Sequence, residues 1–210
     1  MLARLSHTRL LRYAGLFTWA MACLPLLYSW IGQWRDPLPD EALAHVMPWQ
    51  GWGCYLAFGA GYWWLTRGLG QRRQALDYLL LTITTLAAIG LGFYSETGLG
   101  SVLLMVAACV LPWLLPLQLG VVWLVGAQLA VVPVFMLGLK FPLFEALMQS
   151  MLYAGISGFV FITSLVALQQ SEAREEQRRL NAELRSTRAL LAESARVNER
   201  TRISRELHDL

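Results

Sequence analysis

From Leu99 to Leu139 the chain carries no charged residue. A continuous helix of about 41 residues would be roughly 60 Å long, twice the hydrocarbon thickness of a bilayer. An apolar segment of that length has no place on a water-soluble domain of this size, so the run must lie in a membrane and must double back. Four more apolar runs repeat the signal at residues 10–31, 51–66, 76–93 and 146–168. The composition, 56% hydrophobic and 15% charged, is sorted so that the charges fall mainly between these runs. The chain therefore reads as an all-α integral membrane protein.

Pro112, Pro116 and Gly120 mark a stretch of the long run where the backbone can turn without a charge, so the break is expected within 112–120. Two spans there and four elsewhere make a six-helix transmembrane bundle over residues 1–168. Arg4, Arg9, Arg12, Arg67, Arg72 and Arg73 flank spans on one side. Arg35 and Lys140 flank the other, with Asp36, Asp40, Glu41, Glu96 and Glu145. The positive-inside rule then places both termini in the cytoplasm of a multi-pass cell inner (plasma) membrane protein. The first run, preceded by arginines, suits a signal anchor rather than a cleaved leader.

Trp30, Trp34, Trp49, Trp52, Trp63 and Trp64 fall near run ends, where an indole sits at the membrane interface. Cys23, Cys54 and Cys109 lie within spans and read as small hydrophobes, with no disulfide and no metal site expected. Asp77 and Glu145 open spans, where an acid complements the helix N-terminus. Thr82, Thr84, Thr85, Gln128 and Pro133 suggest a polar cavity or a flexible kink inside the bundle. No pair of intramembrane acids or bases makes an ion path. Ser150, Ala154 and Gly158 form a smooth stripe for close helix approach, either within the bundle or in a dimer. The outer segment 32–48 is too short for a folded ligand-binding domain, so a stimulus is expected within or at the membrane.

Beyond Leu168 the composition changes to Gln, Glu, Arg, Ala and Leu, with no Pro or Gly. The last span is expected to continue as a cytoplasmic signalling helix over 169–198. Val166, Gln170, Ala173, Gln177, Leu180, Leu184, Thr187, Leu191, Ser194 and Asn198 define a heptad seam, of which five positions are apolar. Polar seam residues weaken a coiled coil and bring alternative packings close in free energy, which suits a bistable parallel homodimer. An ordinary solvated helix with weak pairs such as Glu175 with Arg179 is the alternative.

The final residues read Glu199-Arg-Thr-Arg-Ile-Ser-Arg-Glu-Leu-His-Asp-Leu210. Ile203, Leu207 and Leu210 form an apolar stripe at helical spacing, beside a face carrying Arg202, Arg205 and Glu206. This run resembles the H-box of sensor histidine kinases with a NarX/DesK-type (type 3) dimerisation and phosphoacceptor domain. That family has E-R-x-R-I-A-R-E-L-H-D around its histidine, with Ser204 standing here in place of the usual alanine. The resemblance covers about 12 residues closely and implies a truncated start of the phosphoacceptor helix over 199–210.

The resemblance implies that His208 is the phosphoacceptor and that Asp209 orients its ring and accepts its other proton. A neutral imidazole has the lone pair that attack on a γ-phosphate needs. The family's second hairpin helix, its phosphatase residue and its ATP-binding domain do not occur here, so ATP with Mg2+ would be held by a catalytic domain beyond these residues. The implied partners are a second copy, a cytoplasmic response regulator with a DNA-binding output, and the bilayer, with no nucleic acid bound directly. His7 and His45 carry no comparable context. A non-catalytic receptor or scaffold with a coiled-coil tail, or a small transporter, are the competing functional classes.

Overall fold

The computed structural model describes residues 7–35, 47–67, 69 and 74–208. Arg4, Asp36, Asp40, Glu41, His45, Arg72, Arg73 and Asp209 lie outside these residues, so the part of the orientation argument that they carry does too. All regular structure among the described residues is helical. In chain order the helices are α1 (His7–Arg35), α2 (Trp49–Arg67), α3 (Gln74–Ser95), α4 (Leu99–Ala108), α5 (Leu111–Leu114), α6 (Leu117–Leu137) and α7 (Leu143–His208). The chain divides into two compact units, Met1–Val166 and Ala167–Leu210.

Four helices, α1, α3, α6 and α7, are long and apolar enough to cross a membrane. The other two expected crossings have specific reasons for falling short of that standard. Helix α2 has 19 residues, about 28 Å of rise, but Trp49, Trp52, Tyr55, Tyr62, Trp63 and Trp64, together with four glycines, dilute its aliphatic content. The first half of the long uncharged run is divided between α4, of 10 residues, and the single turn α5, of 4.

The run breaks at Leu115 and Pro116, inside the expected window. Leu115 is extended (φ −118°, ψ 144°), as the ring of a following proline requires. Pro116, also extended (φ −61°, ψ 151°), then caps α6, and its carbonyl accepts the Gly120 N–H at 2.9 Å. Pro25 and Pro133 sit inside α1 and α6, neither of which is interrupted. At Pro133, one of the residues expected to form a polar cavity or a flexible kink, the helix continues past the proline to Leu137. Asp77 and Glu145 do fall in first turns, of α3 and α7.

The core lies where α2, α3 and α4 meet. Phe58, Tyr62 and Leu65 on α2, Leu81, Ala88 and Leu91 on α3, and Leu103 on α4 are almost fully buried. Helices α3 and α4 approach at Gly92 and Gly100. A Cβ on Gly100 would stand 2.4 Å from the Ala88 carbonyl oxygen and 2.7 Å from the Gly92 Cα. Only a residue without a side chain permits that contact, as in membrane helix pairs generally.

Helix α1 joins this core through polar groups of aromatic side chains. Trp19 Nε1 donates to the Tyr55 carbonyl at 3.0 Å, and Tyr55 Oη donates to the Trp19 carbonyl at 2.7 Å. The two rings stack with centroids 4.8 Å apart. One turn from the start of the span, Arg12 donates to the Thr66 carbonyl at 2.8 Å, and its guanidinium lies 5.7 Å from the centre of the Trp63 ring. The outward side of α1 presents Tyr13, Phe17 and Leu24, the kind of surface that lipid covers. Trp30, Trp49, Trp63 and Trp64 are exposed, as interfacial anchors are.

Candidate functional site

Two regions carry the chain's chemistry, one in each unit. In the first, α7 is held against the bundle by serines. Ser150, Ser157 and Ser164 are buried at intervals of seven residues. Ser150 Oγ donates to the Gln128 carbonyl at 2.9 Å, and Ser157 Oγ accepts from Gln128 Nε2 at 3.0 Å. Ser164 Oγ donates to the Cys109 carbonyl. Gln128 therefore grips α7 at two points two turns apart, which fixes both its height and its rotation against α6.

Within the bundle the packing stripe therefore differs from the small-residue stripe of the sequence, whose other expected use is in a dimer. Ser150 does face the bundle, but Ala154 is only partly buried and a Cβ on Gly158 would meet nothing within 4 Å. Helices crossing at a shallow angle meet along a seam that repeats every seven residues. The hydroxyls at 150, 157 and 164 follow that interval.

The polar residues of α3 play different roles from one another. Thr82 is exposed and bonds the Tyr78 carbonyl, while Thr84 is buried and bonds the Leu80 and Leu81 carbonyls of its own helix. Only Thr85 reaches across, accepting from Trp123 Nε1 at 3.1 Å while its own hydroxyl donates to Leu81 at 2.8 Å. Thr85, Trp123, Gln128 and Ser157 line a single small cavity with Leu104, Ala107 and Ala108. Of the residues expected to form a polar cavity, only Thr85 and Gln128 line this one, and its exposed wall is almost wholly apolar.

Cys23 and Cys54 are free thiols within α1 and α2, and Cys109 is a free thiol in the turn that ends α4. Among the described residues no three His, Cys, Asp or Glu side chains cluster closely enough to hold a metal ion.

In the second unit the backbone is helical through His208, the last residue of α7. Side chains from Glu199 onward lie outside the described set, as does Asp209, so the proposed His208–Asp209 relation is one of sequence position alone. On a helix, Ile203 and Leu207 share a face, and His208 is turned about 100° from Leu207. Upstream, the seam residues Leu180, Leu184 and Leu191 are each more than half exposed. Ser171, Ser186 and Thr187 bond carbonyls of their own helix at 2.7 to 2.9 Å. Among the described residues, nothing covers the seam leucines.

The reciprocal Trp19–Tyr55 pair and the Gln128–Ser157 contact were not anticipated from the sequence. A buried amide in a span was the available signal for the second, since a glutamine in hydrocarbon must find a partner. Comparison of the chain with protein-family models, with curated proteins and with solved structures gave no match.

Proposed function

We propose that this chain is the membrane sensor part of a two-component histidine kinase that is phosphorylated on His208 and passes the phosphoryl group to a cytoplasmic response regulator. The observation that carries the reading is the Glu199-to-Asp209 H-box run, in register with a helix that begins as an apolar span and ends at His208. In this reading six crossings place both termini in the cytoplasm of the plasma membrane, with α2 and the α4–α5 pair completing the four longer spans. The serine-clamped part of α7 belongs to the sensor, and the 169–198 seam pairs with a second copy.

His208 supplies the nucleophilic imidazole nitrogen, and Asp209 holds the ring and takes its other proton. The ATP-binding domain supplies ATP with Mg2+, which neutralise charge on the transferring phosphoryl group. The resulting phosphohistidine is the donor to an aspartate of the regulator, whose output domain binds DNA.

The test is phosphotransfer in trans. The chain in vesicles is incubated with labelled ATP, Mg2+ and the ATP-binding domain of a related kinase, beside a His208→Gln variant. Acid-labile phosphate on the native chain that is lost from His208→Gln is the expected result. No label on either form, with α7 helical and the chain dimeric, would overturn the reading in favour of a non-catalytic scaffold.

A further inference from the structure

Helix α1 begins and α2 ends at the same end of the bundle, where Arg12 of α1 reaches the Thr66 carbonyl in the last turn of α2. Arg67 follows Thr66 directly, and Arg9 lies three residues before Arg12 on the same face of α1. Both are exposed. The chain has no Asp or Glu from Met1 to Arg35 or from Met47 to Leu76, while Arg4, Arg72 and Arg73 add to the arginines nearby in sequence. The first acid to follow is Asp77, in the first turn of α3, where a carboxylate already complements a helix N-terminus. The arginines therefore carry a charge that these helices do not offset.

The helix dipoles do not alter this balance. At this end α1 presents its positive terminus and α2 its negative one, so the two contributions oppose each other. The field is that of the side chains.

Arg12 is the fixed member of the group. Its guanidinium is held by the Thr66 bond at 2.8 Å and over the Trp63 ring at 5.7 Å, contacts that position the charge without neutralising it. Of its five N–H donors, one on Nη2 serves Thr66 and the one on Nε is buried, which leaves those on the Nη nitrogens. Adjacent N–H groups of a planar guanidinium suit the paired oxygens of a phosphate.

Arg9, Tyr13 and Phe17 succeed one another at i, i+4 and i+8, and all three are exposed. They form a stripe that starts in charge and continues for about 12 Å along α1 as aromatic surface. A molecule complementary to it has an anionic head and a long apolar tail.

We propose that Arg9, Arg12 and Arg67 form a binding site for one anionic phospholipid, whose phosphodiester meets the arginines while an acyl chain lies along Tyr13 and Phe17. A zwitterionic lipid fits less well, because its ammonium group would enter a field that is already positive. The site requires that the chain span a membrane and does not depend on any role for His208.

The test uses the full chain in neutral detergent, titrated with phosphatidylglycerol or with phosphatidylcholine of the same acyl chains, while native mass spectrometry counts the lipids retained. The expected result is one phosphatidylglycerol held at concentrations where phosphatidylcholine is not. Retention should weaken about fivefold in each of Arg9→Gln, Arg12→Gln and Arg67→Gln, and should be unchanged in Lys140→Gln, which removes a charge from the turn between α6 and α7. Equal retention of the two lipids overturns the proposal. So does an effect of Lys140→Gln as large as that of Arg12→Gln, because net charge would then act without a site. Glycerol phosphate that competes as strongly as the lipid also overturns it, since the acyl chain would contribute nothing. Arg9→Gln and Arg67→Gln, both at exposed positions, decide the matter if Arg12→Gln does not fold.

Discussion

Replacing Ser150, Ser157 and Ser164 one at a time by alanine should produce an unequal series, with Ser157→Ala the most damaging. Ser150 and Ser164 each donate to a main-chain carbonyl. Those of Gln128 and Cys109 lie in or beside helices, so losing the hydroxyl removes one interhelical bond and strands nothing else. Such bonds in membrane proteins are worth on average about 0.6 kcal/mol and at most about 1.7. Ser157 instead satisfies a side-chain amide that is 4% exposed. Its removal costs a comparable bond and also leaves a buried donor unpaired, a penalty of about 1–3 kcal/mol. The expected loss is therefore about 2 kcal/mol or more for Ser157→Ala, against about 0.6 for each neighbour. Reversible unfolding in mixed micelles, followed by tryptophan fluorescence, measures all three on one scale. Equal losses across the series, or a Ser157→Ala variant as stable as the native chain, would refute the assignment of Gln128 as the clamp on α7. Adding Gln128→Leu to Ser157→Ala should recover part of the loss, because the stranded amide is then gone.

Gly100→Ala should destabilise the bundle by about 1–3 kcal/mol. Its Cβ would have to move from 2.4 Å to ordinary contact at 3.4 Å, a shift of 1.0 Å against backbone atoms that no rotamer change relieves. Gly126→Ala, where a Cβ meets nothing within 4 Å, should be neutral or stabilising by up to about 1 kcal/mol in the same unfolding assay. Lys140 closes the turn between α6 and α7 with φ at 57°, so Lys140→Gly should raise stability by about 1 kcal/mol by removing the left-handed penalty, read as a higher unfolding midpoint. Leu180→Asp combined with Leu184→Asp should weaken self-association of the chain in bilayers, measured by energy transfer between labelled copies. The same pair of changes at Arg178 and Arg185, off the seam, should leave association unchanged.

Much of this architecture was legible because membrane helices announce themselves through length and charge spacing. The turn at Leu115 and Pro116 was found from the excess length of an uncharged run and from the stretch between Pro112 and Gly120 where the backbone can turn without a charge. The first-turn positions of Asp77 and Glu145 followed from where the apolar runs begin. What stayed hidden depended on partners distant in sequence. Gln128 and Ser157 are 29 positions apart, and Trp19 and Tyr55 are 36 apart. No local pattern joins such residues. The small-residue stripe of Ser150, Ala154 and Gly158 is not the one that packs within the bundle, where the hydroxyls at 150, 157 and 164 make the contacts. Thr84 illustrates the converse. It is buried and polar, yet it satisfies itself on its own helix, an outcome composition does not distinguish from a cross-helix contact.

In the proposed sensor, the clamp and the seam need to be matched in energy. A ligand or bilayer change that broke the Gln128–Ser157 bond and stranded the amide would act with about 2 kcal/mol, or a change in population of about thirtyfold at 1.4 kcal/mol per decade. That is ample for a helix pair whose two packings lie close together and far too little for one locked by a continuous leucine seam, since reversing a 99:1 preference takes about 5.5 kcal/mol. The seam of this chain interrupts Leu180, Leu184 and Leu191 with Gln170, Gln177, Thr187, Ser194 and Asn198. Each interruption lowers the preference for one register. The weak seam therefore fits the weak clamp: a stimulus of single-hydrogen-bond size would be enough to change which packing predominates upstream of His208.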